Sequence, residues 1–291
     1  VVFPASNYTF LPIMTSTPRL ADRTALTLHR RRAGTNPVLF LHREATAEIE
    51  ERLAEVNKSF TAPALVGHVT DPLRALFPDA PVVEDTPTLK IERAAHDLIV
   101  HNFALHWADD PVGQMVQSRL ALKPDGMFLA TMFGGDTLNE LRTSLAEAET
   151  RIAGGLSPRV LPMADLRDLG GLLNRSGLAL TVADNLKLTV RYPSMAKLVE
   201  DLRGMGETNA LAARHRAHPP RQLFNEAEEI YRAHFADDEG YLPATFEIVF
   251  LTGWAPADTQ QQPLRPGSAR QRLADALGVD EIGTGDPVDG S

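Results

Sequence analysis

The chain has 291 residues, a formal charge of −9 and no cysteine. That length buries a sizeable core in one or two domains, and the acidic balance argues against a general nucleic-acid binder, which needs a basic face. Without cysteine the chain has no disulfides, thiolate metal sites or cysteine nucleophiles, and no apolar run approaches the ~18 residues that span a membrane.

Residues 1–20 read as a tail. Its first 13 residues lack the basic start and continuous apolar stretch of a signal peptide, and Met14 opens a more typical N-terminus, so 1–13 are expected to be a leader with no role in the fold. A helix is predicted over 22–33 with Asp22 as N-cap. Its run His29-Arg30-Arg31-Arg32 reads as a solvated basic face or as a contact for an acidic or phosphate-bearing partner. A second helix is predicted over 43–57, where Ala45, Ile49, Leu53 and Val56 share a face. Residues 62–66 form a strand ending at Gly67, 71–77 one or two helical turns, and 81–85 a short strand with an acidic end. The continuous apolar run at 97–103 predicts a strand buried on both faces. A helix follows over 111–122.

Lys123-Pro124-Asp125-Gly126 is turn chemistry, with Gly126 free to take a positive φ. Residues 127–133 then read as a buried strand. Gly134-Gly135 allows a sharp bend or a close ligand approach. Thr137 through Glu140 has the form of a capping box, with Thr137 as N-cap. The helix it opens ends at Gly154-Gly155, and another over 164–176 closes at Gly177. Residues 179–182 and 187–192 read as a strand pair. Ser194 caps a helix, a further helix covers 221–236, and 245–254 is a strand. After Pro256 the composition is that of a tail, with one short helix at 268–277. Strands alternating with helices predict a mostly parallel sheet flanked by helices, with antiparallel strands added last.

Few residues suggest chemistry directly. His101 and His106 lie near a strand end without the spacing of a metal site; His106 is the better candidate for a pocket contact, with Trp107 as an apolar wall. Asp136 is a capping aid or a free acid. Arg142 and Arg191 could receive a carboxylate. Gly204-Met205-Gly206 before Glu207 and Asn209 has one glycine more than a helix end needs, which points to a tight functional turn. No Ser-His-Asp order, P-loop or carboxylate pair stands out, and no catalytic residue is assigned.

The blocks LHWADDP (105–111), LKPDGMFLATMFGGDTLNELR (122–142), GGLSPRV (154–160), DLGGLLNRSGL (168–178), LTVRYPSMAKLVEDLRGMGETNAL (188–211) and ATFEIVFLTGWAP (244–256) together resemble one family. It is the mitochondrial complex I assembly factor 5 family with its alphaproteobacterial relatives, in the class I S-adenosylmethionine-dependent methyltransferase superfamily. It is similar also to the biotin-synthesis methyltransferase that acts on malonyl-acyl carrier protein. The resemblance implies a three-layer α/β domain over 21–256, between tails at 1–20 and 257–291. Its sheet would have seven mostly parallel strands with an antiparallel last strand. Strand one would be 63–67, strand four 97–103, strand five 127–133, and the last two 186–192 and 245–254.

By the same resemblance, S-adenosylmethionine would bind at Gly67, Glu84, Asp85, Asn102 and Phe103. His106, Trp107, Gly134, Gly135 and Asp136 would wall the substrate pocket. A metal is not expected. The implied partner or protein substrate lies in the peripheral arm of complex I, and the implied location is cytoplasmic or peripheral at the inner membrane.

The cofactor half departs from the family's pattern. Of the glycine-rich loop after strand one, Ala64 through Asp71 keep one glycine, and His68 and Val69 put side chains where backbone approach is needed. A βαβ unit takes about 30 residues, so the stretch from Leu65 to Asp97 cannot hold the usual two. Glu84 and Asp85 align with the adenine-contacting turn after strand three rather than with the ribose acid after strand two. Three readings follow: a working methyltransferase with a divergent loop, a scaffold that has lost the cofactor, or an enzyme that hydroxylates an arginine of a complex I subunit.

Overall fold

The computed structural model describes residues 19–260 except His218. Its sheet has six strands in the order β2-β1-β3-β4-β6-β5. Strands β1 (Pro63–Gly67), β2 (Val82–Val83), β3 (His96–Asn102) and β4 (Leu122–Phe133) run parallel. Strand β6 (Leu242–Trp254) is antiparallel to β4, and β5 (Ala179–Tyr192) closes the edge antiparallel to β6. The helices are α1 (Arg23–Ala33), α2 (Phe40–Glu55), α3 (Asp71–Leu76), α4 (Pro111–Ala121), α5 (Asn139–Ala153), α6 (Leu166–Arg175), α7 (Met195–Met205) and α8 (Arg221–Phe235). The described residues up to Ala257 belong to one compact unit.

The central strands are apolar on both faces because both are covered. Leu65, Leu98, Val100 and Leu129 pack with α2, α5, α7 and α8, while Ala64, Val66, Ile99 and Phe128 pack with α4 and α6. The period-two alternation of a strand divides one apolar run between two cores. Asp22 caps α1 through the Ala25 N–H, and Ser194 caps α7 through the Lys197 N–H. Among the described residues no helix is long and apolar enough to cross a membrane.

Five expectations are corrected. The implied seven strands are six, because β2 pairs directly with β1 and leaves no third βα unit between β1 and β3. Glu84 and Asp85 therefore follow the second strand position, where a ribose acid belongs, and not the third.

Residues 179–182 and 187–192 do not pair with each other; they are the two ends of one long strand along β6. The turn before β4 is an irregularity inside an extended segment: Leu122 pairs with His96, the register shifts, and Asp125 rather than Gly126 takes the left-handed backbone at φ 61°. The capping box does not form. Leu138 occupies the N-cap position at φ 55° without a side-chain cap bond. The Thr137 hydroxyl instead donates to the Glu247 carbonyl at 3.1 Å and accepts from the Glu247 N–H at 3.0 Å, and Glu140 accepts from the Thr245 N–H. Both residues pin the β4–α5 connection to β6, a long-range use that outcompetes the local cap.

The candidate helix at 268–277 and the first 18 residues lie outside the described set.

Candidate functional site

The C-terminal ends of β1, β2 and β3 meet, and the structure brings Gly67, Asp85, Asn102 and Phe103 together there. Glu84 is exposed and takes no part. Gly67 has φ 98°, and a Cβ on it would lie 2.6 Å from the Asn102 carbonyl oxygen and 2.6 Å from the Ala104 Cβ. The backbone approach that the glycine permits is therefore used by the chain's own segment after β3. The His68 N–H donates to the Asn102 carbonyl at 3.0 Å, and Asn102 Nδ2 donates back to the His68 carbonyl at 2.6 Å. Asn102 Oδ1 accepts from the Thr131 hydroxyl at 2.8 Å, so its side chain is committed at both ends.

Two helices cover this cleft. From α1, Arg30 reaches the Asp85 carboxylate at 3.2 Å and donates to the Phe103 carbonyl at 2.9 Å. That carbonyl is turned toward it by the left-handed backbone of Phe103, φ 41°. Arg23, two helical turns earlier, reaches the other Asp85 oxygen at 3.0 Å. Burial raises the Asp85 carboxyl, but the charges of Arg30 and Arg23 outweigh it and hold the group below the usual carboxylate value. The basic run thus is not simply a solvated face: Arg30 points inward, while Arg31 and Arg32 are exposed.

From α2, His42 stacks against Phe103 at 4.9 Å and against His68 at 5.6 Å. Burial pushes His42 down to about 3 and His68 down to about 4.

These residues do not fit S-adenosylmethionine. Its amino-acid end needs a glycine loop open to close approach, and here His68 follows Gly67 with its backbone bonded at both ends to Asn102, the last residue of β3. Its ribose hydroxyls need a free carboxylate, and both Asp85 oxygens are paired with arginines. A cationic sulfonium would also share the cleft with the Arg30 guanidinium.

A cavity of about 880 Å³ lies between α1, α5, α7 and the start of α8 and adjoins the cleft at Phe133, which packs against Phe103. Trp107 lines it, with Glu207, Thr208 and Asn209 from the segment after α7. Trp107 sits in a single 3₁₀ turn, Leu105–Trp107, that follows β3. Of the pocket residues inferred from sequence, His106 is buried just behind Trp107. Gly134 is packed against Glu247 and Val249, and Gly135 lies near the Ala164 carbonyl. Asp136 is exposed and pairs with Lys187, away from the cavity lining. Arg142 donates to the Gly135 and Thr137 carbonyls, and Arg191 pairs with Asp237.

Glu207 is the buried acid that single-residue reasoning did not select, although its glycine-rich surroundings marked the segment. Its oxygen Oε2 accepts from Trp107 Nε1 at 2.7 Å and lies 3.1 Å from His106 Nε2, while Oε1 has no partner. Gly206 turns the chain with φ 80°, and the Glu207 N–H returns to the Leu202 carbonyl at 3.0 Å, closing α7. The second glycine has a packing role: a Cβ on Gly204 would lie 2.5 Å from Val38. Burial raises the Glu207 carboxyl, but His106 and Arg30 charges and the two hydrogen bonds bring it down to about 2.

Replacing Glu207 with Ala is expected to cost about 3 kcal/mol in urea unfolding, because a buried polar pair loses one partner and leaves the other unpaired. A loss below about 1 kcal/mol would mean water replaces it. Among the described residues no cluster of three or more His, Cys, Asp or Glu side chains is placed to hold a metal ion.

No family model matches the chain. It is 40% identical over 194 residues to "Arginine-hydroxylase NDUFAF5, mitochondrial" of Dictyostelium discoideum, covering 66% of this chain and 44% of that protein. It is 36% identical over 227 residues to the mouse protein of the same name, covering 78% and 66%. It is 34% identical over 176 residues to "Malonyl-[acyl-carrier protein] O-methyltransferase" of Nitrosospira multiformis, covering 60% and 55%. The chain therefore spans less than two thirds of each of these relatives.

Proposed function

The chain belongs to the complex I assembly factor 5 family of class I methyltransferase-fold proteins, and from that premise we propose that it acts in complex I assembly as a binding protein that does not use S-adenosylmethionine. The observation that carries this reading is the Arg23–Asp85–Arg30 cluster, which spends the acid of the second strand on α1. The bonded pair of segments at Gly67 and Asn102 supports it from the amino-acid end. The cavity between α1, α5 and α7 has room for a ligand.

Calorimetry and thermal shift with S-adenosylmethionine and S-adenosylhomocysteine test the reading. The expected result is no heat and no shift at ligand concentrations on the order of 1 mM, at which a site with a Kd of 10 μM would gain about 2.7 kcal/mol. Binding in the micromolar range would sink it and return the chain to methyl transfer. A pull-down is expected to recover peripheral-arm subunits equally with and without the cofactor. Mass spectrometry of the recovered subunits separates the remaining readings, since methylation and the arginine hydroxylation printed in the relatives' names add different groups.

A further inference from the structure

The cavity between α1, α5 and α7 is lined by more cations than anions. The chain is acidic overall, yet Arg32, Arg159, Lys197, Arg203 and Arg214 line this one space, against Glu200 and Glu207. Three of the five cations are spoken for: Arg159 pairs with Glu149, Lys197 with Glu200 and Asp201, and Arg214 with Asp22. Arg32 of α1 and Arg203 of α7 make no ion pair among the described residues, and both are exposed. His29, also in the lining, has a buried Nδ1 with no partner. Its pKa is lowered first by burial and further by the charges of Arg214 and Arg32, against the Thr208 bond and the charge of Asp22, which raise it.

The rest of the lining includes hydrocarbon: Leu138 at the N-cap of α5, Leu141 and Leu145 within it, and Val199 and Leu202 of α7. A peptide would bring an N–H and a C=O at every residue, and buried backbone groups need partners. A leucine wall offers none. An unbranched hydrocarbon chain needs none, and a volume of about 880 Å³ lies within the range of small-ligand sites.

We propose that this cavity binds a single-chain anionic lipid, a fatty carboxylate, with its chain along the α5 leucines and its head at Arg32 and Arg203. The proposal does not rest on loss of S-adenosylmethionine, since Arg32 and Arg203 take no part in that cleft.

The test is calorimetry on the full chain with decanoate, dodecanoate and tetradecanoate below their micelle concentrations, beside dodecanol and dodecyltrimethylammonium. Affinity is expected to rise about fourfold per added methylene until the chain fills the cavity, the equivalent of ~0.8 kcal/mol per buried CH₂. Dodecyltrimethylammonium is expected to bind at least about tenfold more weakly than dodecanoate. The double variant R32Q/R203Q, altered only at exposed positions, is expected to lose about tenfold for dodecanoate, as removal of charged hydrogen bonds does, and to keep its affinity for dodecanol. Equal binding of the anion and the cation overturns the head-group assignment. No chain-length dependence, or no binding by protein that circular dichroism shows to be folded, overturns the proposal.

Discussion

Acidifying the protein from about pH 7.5 to about pH 5 is expected to remove roughly 4 kcal/mol of stability, well before the carboxylates titrate. Three histidines cause this. Burial pushes His42 down to about 3, with the charge of His68 adding to it. Burial pushes His68 down to about 4, with Arg30 adding to it. Burial takes His101 down to about 4 against its hydrogen bond to Gln114. Each folded value lies below the unfolded value near 6.5. The unfolded chain therefore binds protons that the folded chain refuses, and stability rises with pH through this window. The contribution is whole above about pH 6.5 and is lost as pH falls toward about 4, at a slope of up to ~1.4 kcal/mol per pH unit for each proton.

Because the three rings lie in or beside one cleft, their terms do not simply add, which is why the expected loss is below three full contributions. Urea unfolding at a series of pH values measures it. His42→Phe keeps the ring packing against Phe103 and removes two buried nitrogens that have no hydrogen-bond partner, so the slope is expected to fall by about one proton without loss of stability at neutral pH. Stability that stays flat between about pH 7.5 and 5 would show that these rings are solvated. Glu207 acts in a separate, more acidic window. Its folded value of about 2 lies below the unfolded value of 4.5, so its contribution is whole above the latter and disappears as pH falls toward the former.

Removing Arg30 is expected to have the largest single-site effect. Its side chain is 12% exposed and that of Asp85 is 8% exposed. Arg30→Ala leaves Asp85 to Arg23 alone, strands the Phe103 carbonyl, and opens a void between α1 and the sheet. Breaking a buried pair in this way costs about 3–5 kcal/mol, a large share of the roughly 5–15 kcal/mol that holds a typical domain. The double variant R30M/D85L, which replaces the pair with hydrocarbon, is expected to recover most of that loss, because a buried ion pair contributes little beyond its own desolvation cost. A loss of under about 1 kcal/mol for Arg30→Ala would place the pair in solvent and weaken the case that it closes the cofactor cleft.

The local pattern carried far in this chain. The periodicities that predicted strands at 62–66 and 97–103, and helices capped by Asp22 and Ser194, are properties of consecutive residues. The shortness of the Leu65-to-Asp97 stretch also reads directly as a missing βα unit, since a strand, a helix and a return need a minimum length of chain. Where local and tertiary demands competed, the tertiary ones won. Thr137 and Glu140 have the spacing of a capping box, but β6 runs alongside and supplies the Glu247 backbone and Thr245 as partners. Residues 179–192 were divided by their polar centre, Ala183 to Asn185, but β6 offers a continuous ladder along nearly the whole length and holds them as one strand.

What the sequence by itself determined is the α/β class, the family, and the short stretch between the first strand and β3. What only the tertiary structure decided is which partners the buried charges take. Arg30 meets Asp85 across 55 residues, and His106 meets Glu207 across 101. Neither pairing has a period or a spacing, because each depends on where the helices pack against the sheet and not on any run of neighbouring residues. Local rules act within a few residues, whereas a buried charge finds its partner wherever the fold brings one close enough to offset the loss of water.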